Sequence, residues 1–246
     1  MKSKYFTVEI KPTIANVAVG QHAAFANGDI LFDWFAFDVP RGVAKLLGAT
    51  VELRPKGNGN ADPNKFPLEL MLAKPVNQDA PFTLGAVNSA PTAILNANRM
   101  IGYVPVIAGD FASELDSIAF AQTSPPLNIV LEPDPFTGTH VGFDTYYVAG
   151  IAGGAIDFTS LTRINNGTLN GSSFTVDGTD PRLFMIAGDT IAATTTADTA
   201  VNKALGVIKS MTDVNITLES TTANAIVNDD FIYNTKPLKI VLHFEK

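Results

Sequence analysis

The chain has 246 residues, 46% of them hydrophobic and only 17% charged, which excludes a disordered polymer and leaves room for one large β domain or two small ones. A formal net charge of −7, with the Lys and Arg residues scattered, argues against a nucleic-acid partner, because a phosphate backbone needs a clustered positive surface. There is no cysteine, so disulfides, thiolate metal sites and a cysteine nucleophile are excluded.

Low charge and a mean hydropathy of +0.17 leave little polar surface to cover a monomer, so a homo-oligomer is expected, with some apolar surface covered by partners. Residues 5–10 alternate as a strand does, without the apolar run of a secretion signal. No segment reaches the ~18 apolar residues of a membrane helix, so no membrane partner is expected.

In chain order, residues 5–10 and 13–19 read as strands split by Lys11-Pro12. The central block, residues 28–74, carries three β-rich runs. In the first, Ile30, Phe32, Trp34, Ala36 and Val39 are expected on one face and Leu31, Phe35 and Phe37 on the other. Residues 40–47 are compatible with a short turn of helix, and 56–64 with an exposed polar loop. Residues 48–54 and 66–74 read as the second and third strands of the block. The Pro- and Ala-containing stretch 75–98 shows little alternation, and its residues 79–98 are expected to cross from one sheet to another. Further strands are predicted at 99–107, 117–122, 127–132 and 143–152, the last with Tyr146, Val148 and Gly150 on one side.

From residue 155 to about 180 the chain turns rich in Thr, Ser, Asn and Gly and reads as a projecting hairpin or arm, with residues 173–176 strand-like. Residues 182–187 read as a short apolar strand. Ala200, Val201, Ala204, Leu205 and Ile208 fall at helical spacing, predicting one helix over 197–208. Strands at 214–219, 225–233 and 238–244 close the chain.

No residue is assigned to catalysis, a cofactor or a metal, and the chain is expected not to be an enzyme. His22, His140 and His243 stand apart, without a Gly-x-Ser-x-Gly elbow to make a triad. Asp177-Gly178-Thr179-Asp180 and Asn228-Asp229-Asp230 lack the spacing of a calcium loop and fit turns. The carboxylate pairs Glu114 with Asp116 and Asp33 with Asp38 raise a glycosidase reading, but carboxylates in β proteins generally face solvent or cap turns. Gly57-Asn58-Gly59 and Gly150 to Gly154 lack the third glycine and helix of a dinucleotide site. The Asn166, Asn170 and Asn215 sequons matter only in a secreted eukaryotic protein. The aromatic group Phe32, Trp34, Phe35, Phe37, Tyr146 and Tyr147 reads as core packing rather than a sugar platform, because it alternates inside strands.

The order of Gly28-Asp29-Ile30-Leu31-Phe32-Asp33, Leu47 to Leu53, Pro67 to Leu72, Leu127 to Leu131, Thr145 to Ile151 and the closing Pro237 to Phe244 resembles the small jelly-roll virion structural proteins of tailed phages of marine bacteria. The resemblance covers residues 28–155 and the last strand, and departs at 153–233. It implies an all-β, antiparallel jelly-roll-like sandwich formed by residues 1–154 and completed by 237–246. Residues 155–236 would then be an inserted arm or small lobe, with one short helix, used for contacts. It further implies a non-enzymatic capsid or capsid-decoration component, assembled in the host cytoplasm and kept in the virion, whose partners are itself, as a homotrimer or higher assembly, and other virion proteins. A carbohydrate- or receptor-binding β-sandwich of a phage tail or cell surface is the alternative. Trp34, Phe32, Val51, Leu70, Val130, Val148 and Val241 are the expected core.

Overall fold

The computed structural model describes residues 5–14, 25–54, 65–92, 99–112, 119–123, 126–134, 142–156, 162–166, 171–194, 203–222 and 224–246. The strands are β1 (Tyr5–Ile10), β2 (Ile30–Pro40), β3 (Ala44–Leu53), β4 (Leu68–Ala73), β5 (Met100–Val106), β6 (Ala119–Gln122), β7 (Ile129–Leu131) and β8 (Phe143–Ala152), then β9 (Arg163–Asn166), β10 (Ser173–Asp177), β11 (Thr190–Thr194), β12 (Lys203–Met211), β13 (Asn215–Leu218) and β14 (Phe231–Asn234), and last β15 (Leu238–Glu245). Helix among the described residues is confined to short 3-10 pieces, including Ala108–Asp110, Pro181–Leu183 and Arg99. The protein is all-β, and its pairings are antiparallel.

One sheet runs β1-β15-β3-β6, with β7 also on β3, and the other runs β2-β8-β4-β5. Because β6 and β7 both pair with β3, they serve as one interrupted strand. With β9 to β14 set aside, the two sheets then read 1-8-3-6 and 2-7-4-5, the strand order of a jelly roll built from two Greek keys. Period-two burial drives this packing. In β15, Leu238, Ile240, Leu242 and Phe244 are buried while the residues between them are only half-buried, which places one face against the opposite sheet. Their partners inside the sandwich include Val51, Leu53, Leu70, Val104, Tyr146 and Val148.

Phe32, Val51, Leu70 and Val148 are buried as expected, but Val130, Val241 and Trp34 are not in this core. Val130 pairs with Lys45, whereas its neighbours Ile129 and Leu131 pair with Leu46 and Ala44, so parity turns Val130 outward. Val241 faces out beside Thr50, between the buried Ile240 and Leu242. The regular alternation predicted for β2 also fails. Its register against β8 shifts between Ile30 and Phe32 and again between Phe32 and Phe35, so Leu31 and Phe32 both join the sandwich core while Ile30 joins a cluster with Leu84, Ala149 and Ile151. Bulges reset the side-chain phase in this way. Gly150 lies opposite Phe32, and a Cβ there would overlap the Phe32 ring.

The predicted helical turn at 40–47 is replaced by a tight reversal followed by strand from Ala44. Arg41 N–H donates to the Gly142 carbonyl at 2.9 Å, the buried Asp144 carboxylate accepts from Gly42 N–H at 2.9 Å, and Gly42 takes φ +113°, a left-handed conformation suited to glycine. Thr13 and Ile14 are not strand, and the rest of the strand predicted over 13–19 lies outside the described residues. The loop predicted at 56–64 also lies outside them.

The 75–98 connection does not cross between sheets, because β4 and β5 are antiparallel neighbours. Its described part folds back over the outer face of the β2-β8-β4-β5 sheet. Leu84 and Val87 pack there on Ile30, Ala149, Trp34 and Met71. Trp34 Nε1–H donates to the Phe82 carbonyl at 2.9 Å, and Leu84 N–H to Asp33 Oδ1 at 3.0 Å.

Between β8 and β15 the six remaining strands close into a barrel, β10-β13-β12-β11-β14-β9. Its interior holds Ile164, Phe174, Val176, Phe184, Met185, Ile191, Leu205, Ile208, Ile216, Leu218, Ile226 and Ile232. The described strands of the Thr- and Asn-rich segment, β9 and β10, are therefore barrel wall and not a projecting arm. Residues 203–208 are strand, not helix, and 197–202 lie outside the described residues. Leu205 and Ile208 are both buried at a spacing of three because β12 is irregular. Ile191 pairs with Gly206 and Ala192 with Ala204, passing over Leu205, and Gly206 takes φ +124°. The bulge imitates helical periodicity. Residues 182–187 are likewise not strand. Asp180 accepts from Arg182 N–H at 2.9 Å, and Pro181 opens a 3-10 turn, which the fixed φ of proline favours. The strand predicted over 225–233 is confined to β14.

Barrel and sandwich meet along a narrow seam. Ala192 and Tyr233 of the barrel strands belong to the sandwich core, Phe25 and Ile156 form an isolated bridge, and Ile14 N–H donates to the Thr235 carbonyl at 3.0 Å. Burial pushes the Tyr233 hydroxyl pKa upward, so the ring enters this seam neutral.

Candidate functional site

Among the described residues, those singled out in the sequence do not converge. His243 on β15 shares a 2.8 Å hydrogen bond between its Nε2 and the Thr50 hydroxyl on the outer sheet face, which satisfies it locally. His22, His140, Glu114, Asp116 and the 57–59 glycine loop lie outside the described residues. Asp33 and Asp38 serve separate structural ends. Asp33 holds Leu84 N–H, and Asp38 accepts from the Thr145 hydroxyl at 2.8 Å. Asp180 grips Arg182 through several hydrogen bonds, the shortest 2.7 Å, and that partner holds its carboxyl below the ordinary value. Asp230, buried at the barrel edge, pairs with Lys203 at 2.6 Å. Among the described residues, no group of three or more His, Asp or Glu is placed to hold a metal.

The aromatic group divides between the two sides of one sheet. Phe37 and Tyr146 face inward, their ring centroids 6.1 Å apart, and burial, reinforced by Asp144 and Glu132, pushes the Tyr146 hydroxyl pKa upward. Trp34 packs on the outer cluster, where Phe82 and Tyr103 are exposed. The Arg99 guanidinium lies 6.0 Å from the Phe82 ring centroid and donates to the Asp79 and Ala80 carbonyls. Tyr147 is half-buried. Burial raises its pKa, Arg99 opposes the shift and Asp38 reinforces it. These residues form a mixed aromatic and cationic surface.

A cleft of about 520 Å³ lies at the seam, between β3 and β15 of the sandwich and the 186–190 and 234–237 turns of the barrel. Sequence reasoning missed it, since its lining residues come together only when the inserted barrel docks. Arg54 reaches Asp189 across the seam at 3.5 Å, and Lys239 lies 3.4 Å from Glu52. A shallower depression around His243, Gln122 and Pro126 carries no acid.

The geometry defines the class of this protein as a jelly roll that carries a closed β-barrel between its last two strands. No family model matches the chain, and no curated protein matches it significantly. Solved structures set beside it include a 60-mer BFDV capsid protein, 10% identical over 99% of this chain and 89% of that one, with a TM-score of 0.15. A selenomethionine-labelled mavirus penton protein is 9% identical over 100% of this chain and 99% of that one, with a TM-score of 0.14. Likeness at this level carries no weight, and the class rests on strand order. Among the described residues no helix is long and apolar enough to cross a membrane.

Proposed function

We propose that the chain is a non-enzymatic virion structural protein, a capsid or capsid-decoration component that associates with itself as a trimer or larger ring. The observation that carries this reading is the 1-8-3-6 and 2-7-4-5 strand order, an arrangement used by viral capsid domains as well as by lectins and cupins. It is an argument by analogy of fold. Support comes from exposed apolar side chains on several faces, among them Tyr5, Val43, Phe82, Tyr103 and Ile107, which a monomer would leave wet. The acidic chain fits contacts with protein better than with nucleic acid.

In this reading the sandwich is the scaffold and the barrel is a separate contact unit. Light scattering on the purified chain should give a trimer or higher multiple, and mass spectrometry should find the chain in gradient-purified virions. A stable monomer that is absent from particles would overturn the reading. A variant with residues 163–230 replaced by a Gly/Ser linker retains Ile156 and Tyr233, loses Ala192 from the sandwich core, and is expected to fold as β-protein yet fail to join particles. The alternative, a carbohydrate- or receptor-binding module, is favoured by the Trp34, Phe82, Arg99, Tyr103 and Tyr147 surface, since aromatic faces stack on sugars. A glycan array in which Tyr103→Ala loses a reproducible signal would select it.

A further inference from the structure

We infer that the barrel has a built-in opening line, the seam where β9 meets β14, and that Arg163 on Phe231 latches it. The regular ladder there is a single pair, Phe231 with Arg163. Ile164 N–H donates to the Asp230 carbonyl at 2.9 Å and Ile232 N–H to the Thr162 carbonyl at 3.1 Å, the flanking bonds of a wide antiparallel pair whose side chains stand close together. Beyond that pair the ladder breaks. Asp229 N–H, and not Asp230 N–H, returns to the Ile164 carbonyl at 2.7 Å, while Asp230 N–H turns to the Val227 carbonyl. This is a bulge, and Asp229 takes φ +67° within it, a conformation uncommon outside glycine.

The other barrel seams are longer. β11 pairs with β14 from Ile191 to Thr194 and with β12 from Thr190 to Ala193. β10 pairs with β13 from Ser173 to Thr175 and with β9 from Thr175 to Asp177, and β12 pairs with β13 from Ile208 to Met211. The two strands of the short seam are also held unequally. β14 is fixed from elsewhere, because Tyr233 sits in the sandwich core and Asp230, just before the strand, is tied to Lys203 of β12 at 2.6 Å. In β9 only Ile164 is buried, while Arg163, Asn165 and Asn166 are exposed. That strand brings little apolar surface to hold it in place, so this seam parts before the others. Across it the Arg163 guanidinium lies 4.4 Å from the centroid of the Phe231 ring, a cation–π contact that joins the two strands directly. Opened, the barrel presents the edges of β9 and β14, which closure otherwise hides.

The test is amide exchange on the full chain under native conditions, read as protection factors. The amides of Ile164, Asp229 and Ile232, whose bonds span the seam, should be at least about tenfold less protected than those of Ile191, Ile208 and Ile216. Residues of a wide pair are placed for a disulfide, and the chain has no cysteine of its own. The double variant Arg163→Cys, Phe231→Cys should therefore oxidise to a single bridge and raise seam protection about tenfold or more, reversibly with reductant. Arg163→Ala, at an exposed position, removes the latch without threatening the fold. It should lower seam protection about threefold and leave Ile208 unchanged. Seam amides protected as well as Ile208, cysteines that fail to oxidise, a bridge that leaves exchange unaltered, or an Arg163→Ala variant with unchanged seam exchange would each overturn the inference. None of these outcomes bears on particle assembly.

Discussion

The sandwich and the barrel bury their apolar residues by different means. Strands of the sandwich carry large side chains at alternate positions, as in Leu68, Leu70 and Leu72 of β4, so each strand announces its face. Most barrel strands, β12 apart, are short, and some are dilute. β11 is Thr-Ile-Ala-Ala-Thr, and β9 contributes only Ile164 to the interior. Such strands are held by closure, which pairs every edge and leaves no open ladder, more than by apolar content per residue. Two cores in one chain can therefore differ sharply in how visible they are.

Breaking either core separately tests that difference. Leu70→Ala in the sandwich and Ile208→Ala in the barrel each empty a fully buried position and are expected to cost about 2–5 kcal/mol. Denaturant unfolding followed by tryptophan fluorescence, which reports from Trp34 in the sandwich, should register the first substitution strongly. The second should register there only through the seam. An equal response to both would join the two cores into one.

Next in size is the barrel ion pair. Asp230→Ala leaves Lys203, whose side chain is only 15% exposed, without its partner, and about 3 kcal/mol of stability should be lost. Replacing both residues together by apolar ones should restore most of it in a thermal melt. Gly150→Ala comes close behind, because the new methyl group meets the Phe32 ring, with a loss of about 1–3 kcal/mol. Trp34→Ala is a milder change than a core truncation. The ring is half-buried and its main tie is the Phe82 carbonyl, so about 1–2 kcal/mol is expected, together with faster amide exchange in residues 82–92.

Acid gives the smallest effect. Hydrogen bonding to Lys11 and Arg182 holds the Glu9 and Asp180 carboxyls below their ordinary values of 4.5 and 3.8. Unfolding raises those pKa values, so the unfolded chain binds more protons just below them. Their contribution is present at neutral pH and fades as pH falls from about those values toward the lower folded ones. Both pairs lie at the surface, so Asp180→Asn should move the melting temperature only slightly at pH 7, and less as the pH falls below about 3.8.

The jelly roll was legible because alternation survives in most of its strands, and the closing strand, Leu238 to Phe244, reads correctly to within a residue. It was misread where a bulge changes phase. Leu31 joins Phe32 in one core, and Leu205 and Ile208 imitate a helix, since periodicity alone cannot separate a bulged strand from a helical turn. Barrel closure was invisible because it depends on β9 meeting β14 and β10 meeting β13, pairings between residues far apart in the chain. The cleft shares that origin. Arg54 and Asp189 have no local relation, and only docking brings them within 3.5 Å.

The central claim, that one chain holds two cores joined by a narrow seam, is tested most directly by native-state amide exchange. Barrel amides at Phe174, Ile191, Ile208 and Ile216 should open together, in a step separate from the sandwich amides at Val51, Leu70, Val148 and Leu242. Ile208→Ala should lower the opening free energy of the first group and leave the second nearly unchanged. Uniform exchange at a single opening free energy for both groups, shifted alike by that substitution, would contradict it.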